Sequence, residues 1–68
     1  MLDDAIKKLL SDNRCAMISD GNYDYIKSLC LKAKEAAEKG DEAEAESLFI
    51  RARDLLEEEA NIGSSDLG

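Results

Sequence analysis

The chain is predicted to be all-α, a small three-helix bundle centred on an antiparallel αα-hairpin. Three observations predict this. There is no Pro, aromatics are few, and Ala, Leu, Glu and Lys dominate, which is the composition of helix. Apolar residues recur at helical spacing in three stretches separated by turn-forming residues. The third observation is an internal repeat: Ser28-Leu-Cys-Leu-Lys-Ala-Lys-Glu-Ala-Ala-Glu38 returns 19 residues later as Ser47-Leu-Phe-Ile-Arg-Ala-Arg-Asp-Leu-Leu-Glu57, identical or similar in chemical type at every position. Gly21 and Gly40 stand at the same offset in front of the two copies. Two helices of one design, each preceded by Gly, make a helical hairpin.

Helix 1 is expected from Asp3 or Asp4 to about Ile18. Leu2, Ile6, Leu9, Leu10 and Met17 fall on one stripe, and Asp3 and Asp4 suit the N-terminal end of the helix dipole. Asn13 interrupts the stripe. Ser19-Asp20-Gly21-Asn22 is a cluster of turn formers and is expected to separate helices 1 and 2. Helix 2 is expected from about Tyr23 to Lys39, with Ile26, Leu29, Cys30, Ala33, Ala36 and Ala37 inward. Gly40 reads as a left-handed residue closing that helix, and Asp41 as the cap of the next. Helix 3 is expected from Glu42 to about Ala60 on the stripe Ala45, Leu48, Phe49, Ala52, Leu55 and Leu56. Ile62 is expected to fold back on the core, and residues 63–68 to form a flexible tail after a single domain of residues 1–62. Short connections make consecutive helices antiparallel, giving an up-down-up order.

With 68 residues the chain is one domain at most, and a core of that size supplies only about 3–5 kcal/mol. Regular helix packing and self-association are the expected supplements. There is no His, and Cys15 and Cys30 are not spaced as a zinc pair, so no metal or other cofactor is expected. The start of the chain has no apolar signal segment, so both thiols are expected to be free in the cytoplasm. No apolar run approaches the roughly 18 residues that span a membrane. The net charge is −7; residues 1–40 balance seven acidic against seven basic side chains, whereas residues 41–68 carry nine against two. That excess argues against direct binding of nucleic acid or anionic lipid.

Residues 40–52 read Gly40-Asp41-x-x-x-Ala45-x-x-x-Phe49-x-x-Ala52. This resembles the second helix of a tetratricopeptide repeat, and Leu29, Ala33 and Ala36 occupy the corresponding large, small and apolar places of its first helix. The likeness covers about residues 26–59. Gly21-Asn22-Tyr23 is similar to the same opening again, and three-helix domains of the MIT type share this style. The sequence departs from the tetratricopeptide pattern at Lys32, where Leu is usual, and at Ala36, where Tyr is usual; it lacks the closing Pro, and its offset is not the usual 34. The resemblance implies a close-packed helical hairpin that binds a peptide or protein.

Two aliphatic side chains fall off the core stripes. Leu31 lies about 160° from the centre of the inward face of helix 2 at 100° per residue, and the repeat puts Ile50 at the equivalent angle on helix 3. With Ala43 and Tyr25 they form the candidate interface; the bland alternative is that they pack on helix 1 or the tail. The candidate acidic surface comprises Asp41, Glu42, Glu44 and Glu46 at the start of helix 3 and Glu57, Glu58 and Glu59 at its end. It reads either as a solvated face or as a mimic of nucleic-acid phosphates. At the expected end of helix 3 the last three oppose the dipole, so local stability does not explain them. Cys15 falls opposite the helix 1 stripe and is expected to be partly exposed; Cys30 is expected in the core. Without His, a phosphate loop or enough chain for a pocket, no catalytic residue is expected. The function expected is therefore a non-enzymatic protein–protein interaction module acting through a helical face, self-associating as a homo-oligomer. An acidic inhibitor or decoy for a basic site on a nucleic-acid-handling protein is the alternative, and a small-ligand sequestering oligomer the third.

Overall fold

The computed structural model describes residues 2–64 of the chain. Three α-helices follow one another among these residues: α1 over Leu2–Leu10, α2 over Asp20–Glu38 and α3 over Glu42–Ser64, with a 3-10 helix at Asn13–Met17 between the first two. The all-α three-helix bundle read from the sequence is therefore the fold. α2 and α3 are antiparallel. Gly40 joins them at one end, and at the other the Asn22 amide donates to Glu59 Oε1 at 2.8 Å across 37 residues of chain. Two long helices side by side give an elongated body of 43 × 19 × 18 Å.

The turn between α2 and α3 follows from two residues. Gly40 adopts φ +89°, a conformation that side chains with a Cβ rarely take. Its N–H donates to Ala37 O at 3.0 Å and that of Asp41 to Ala36 O at 2.9 Å, the bonding of a Schellman motif. The Asp41 carboxylate then accepts from the Glu44 N–H at 3.2 Å, so one residue closes α2 and caps α3.

The expected helix 1 does not run unbroken to Ile18. α1 stops at Leu10, and Asp12 is extended (φ −64°, ψ 139°), its side chain accepting from the Arg14 N–H at 2.9 Å. An aspartate that bonds its own downstream backbone competes with helix continuation and favours a new start. Met17, placed on the helix 1 stripe by periodicity, is consequently 58% exposed, because the break changes its direction. α2 begins three residues earlier than expected, at Asp20. The Ser19 hydroxyl accepts from the Asn22 N–H at 3.3 Å, and Asp20 lies at the favourable dipole end. Gly21 thus lies inside the first turn of α2 rather than in a loop, and the repeat's two glycines have different backbones. α3 runs past Ala60 through Ile62 and Gly63 to Ser64, so the expected tail is helical at its first two residues; residues 65–68 and the Ile62 side chain lie outside the described part.

The core sits along the α2/α3 seam. Near Gly40 it is lined by Ala33, Ala36 and Ala45, small enough for close approach of the backbones. Toward the other end the side chains grow: Ile26, Leu29, Cys30 and Leu56 are buried together with Leu9 of α1, and Ile6, Leu10, Leu48, Phe49 and Leu55 pack partly against them. Ala60 extends the α3 stripe one turn beyond its expected limit.

Candidate functional site

The four candidate interface residues are all at the surface, but they do not form one patch. Leu31 is 57% exposed, Tyr25 54% and Ile50 40%, and Ala43 is exposed. Leu31 borders a cleft of about 260 Å³ between α1 and α2, floored by Ile6, Leu10 and Cys30 and rimmed by Lys7, Lys27, Lys34 and Asp3. Helix 1 therefore flanks Leu31 without covering it. Ile50 lies in a separate shallow groove on α3 with Ser47, Arg51, Asp54, Leu55 and Glu58. The alternative that these residues pack on helix 1 holds only in part: α1 lines one side of the Leu31 cleft and leaves Leu31 exposed.

The acidic residues divide by position. Asp41 has its capping role; Glu42 and Glu44 are exposed in the first turn of α3, where negative charge complements the dipole, and Glu46 is exposed just beyond it. Glu57, Glu58 and Glu59 do not end the helix. α3 continues to Ser64, and dipole effects are confined to the last turn. The penalty expected for them is absent for that reason. Two of the three also have partners within the fold: Glu59 receives the Asn22 amide, and Glu57 faces the Arg14 guanidinium at 3.9 Å. Glu58 is exposed without an ion-pair partner among the described residues.

Arg14 is the hub that sequence reading passed over. Its Nε and a terminal nitrogen reach the two Asp12 oxygens at 3.1 and 2.8 Å, a bidentate pairing. These side-chain bonds, with the Arg14 backbone N–H, hold the Asp12 carboxyl down to about 2. Spacing of two residues in a polar stretch carries no recognisable signal of such a pair. Tyr23 serves the same junction: its hydroxyl donates to Leu10 O at 3.4 Å and ties the start of α2 to the end of α1.

Cys15 packs against the core rather than standing opposite it, because the 3-10 helix turns it inward; its thiol donates to Leu9 O at 3.3 Å. Burial pushes the Cys15 thiol up, and the Asp12 charge adds to this; burial does the same to Cys30. Neither environment generates a reactive thiolate. Among the described residues no group of three or more Cys, Asp or Glu is arranged to hold a metal ion, and no helix is long and apolar enough to cross a membrane.

Comparison with protein families, with curated proteins and with solved structures gave no match.

Proposed function

We propose that the chain is a small cytoplasmic, non-enzymatic interaction module that binds protein through its outward helical faces and self-associates. The observation that carries this reading is the exposure of Leu31 and Ile50 on helices whose inward stripes are already satisfied. Full burial of one such side chain contributes about 1.5–3 kcal/mol. Against the roughly 3–5 kcal/mol that a core of this size supplies, covering even part of both is a large gain. The resemblance to a tetratricopeptide hairpin supports the same class of function.

The test is Leu31→Lys with Ile50→Lys in one chain. Both side chains are exposed, so the far-ultraviolet circular dichroism of helix should be retained. The variant should lose the association, with itself or with a captured host protein, that the unmodified chain shows. A folded double variant with unchanged mass and unchanged partners would refute the proposal.

A further inference from the structure

The two exposed aliphatics stand in opposite electrostatic settings. Leu31 is bordered by Lys27 and Lys34 on its own helix and by Lys7 from α1, against Asp3 on the cleft rim and Glu35 four residues on along α2. Ile50 is followed along α3 by Asp54 and Glu58, at four-residue spacing on one stripe, with Arg51 beside them and Arg53 three residues on. Among the described residues none of Lys7, Lys27, Lys34, Arg51, Asp54 and Glu58 has an ion-pair partner. Both surfaces are thus open, and their linings carry net charge of opposite sign, three lysines against Asp3 at the cleft and Asp54 and Glu58 against Arg51 at the groove. Lys27 to Lys34 spans roughly 10 Å of helix, and Ile50 to Glu58 roughly 12 Å, at 1.5 Å per residue.

From this complementarity we infer that the α3 face around Ile50, Asp54 and Glu58 docks into the Leu31 cleft between α1 and α2 of a second copy of the chain. The inference rests on the self-association proposed above and specifies its geometry. A two-fold contact centred on either patch would place that patch on its own copy. At the Leu31 cleft that sets three lysines against three lysines, and on α3 it sets Asp54 and Glu58 against their equals. Like charges so juxtaposed oppose association. The head-to-tail arrangement instead brings two carboxylates to three ammonium groups, leaves Arg51 for Asp3, and covers Ile50 and Leu31 with each other. A pair joined by one such contact leaves a free Leu31 cleft on one copy and a free α3 face on the other; because the two faces point away from the α2/α3 seam on opposite sides, the assembly closes as a larger ring or continues as a chain instead of stopping at a dimer.

The experiment is sedimentation velocity on three preparations: the unmodified chain, Lys27→Glu/Lys34→Glu, and Asp54→Lys/Glu58→Lys. The unmodified chain should grow in mass with concentration beyond a dimer and should weaken as salt is added. Each double variant alone should associate at least about tenfold more weakly, since attraction becomes repulsion at two positions. An equimolar mixture of the two should recover association, which a misfolded variant would not do. Undiminished association of Asp54→Lys/Glu58→Lys alone would overturn the inference, as would an unmodified chain that stays monomeric. In either case a host protein captured through Leu31 would leave the broader interaction proposal standing. If the Leu31→Lys/Ile50→Lys variant also behaved like the unmodified chain, both would fall.

Discussion

Gly21 and Gly40 are equivalent in the repeat, yet replacing each by Ala should change stability in opposite directions. Gly21 is in the first turn of α2 with an ordinary helical backbone, and a Cβ there would meet nothing within 4 Å. Gly21→Ala therefore removes freedom from the unfolded chain at no steric cost and should stabilise by about 0.5–1 kcal/mol. A Cβ on Gly40 also meets open space, so crowding is no factor. The backbone at φ +89° remains, and an L-residue held there costs about 1–2 kcal/mol. After the unfolded-state gain, Gly40→Ala should destabilise by about 1 kcal/mol. The two variants then differ by roughly 2 kcal/mol, which in a domain of this size separates their melting temperatures by roughly 8–16 °C. Thermal unfolding followed by circular dichroism, at one low protein concentration so that association does not shift the midpoints, measures both. Shifts of the same sign would refute the reasoning, because they would mean that the glycines share a backbone conformation. Gly40→Asn provides a control: Asn tolerates the left-handed region and should lose less than Ala.

Two further outcomes follow from single contacts. The Asp12 carboxyl, held at about 2 in the fold against an ordinary 3.8, contributes stability that is present above pH ~3.8 and is lost as pH falls toward about 2; acid titration of thermal stability should be flatter across that window in Asp12→Asn, and an unchanged acid slope would show that the Arg14 pairing does not form. Ala33 is fully buried where α2 and α3 approach on alanines, so Ala33→Leu should destabilise by about 1–3 kcal/mol through forced separation of the helices, read as a lower urea midpoint, whereas a neutral effect would mean the seam has slack.

How much could be read without coordinates depended on the distance over which each cause acts. The inward stripe of α2 was legible because helical periodicity is a local property: Ile26, Leu29, Cys30, Ala33 and Ala36 are buried, while Ala37, expected with them, is half-buried. So was the Gly40-Asp41 turn, in which one backbone angle and one carboxylate suffice. The break after Leu10 was less legible, since Asn13 hinted at a weakness while Asp12, which makes the break, gave no periodic sign. The candidate surface was half legible. The repeat singled out Leu31 and Ile50 as off-stripe residues, and helical spacing puts Lys27, Lys34, Asp54 and Glu58 beside them, but Lys7 and Asp3 join the Leu31 rim from another helix.

By itself, the sequence determined the helical class, the pairing of α2 with α3, the faces they turn to each other and the residue at which the chain reverses, all of which follow from apolar spacing and backbone freedom within a few residues. Only the tertiary structure decided where α1 lies, that Cys15 turns inward, and that Glu57 and Glu59 face Arg14 and Asn22 instead of opposing a helix end. The last two contacts join groups across tens of residues, and Cys15 follows a break in the helix that apolar periodicity does not encode.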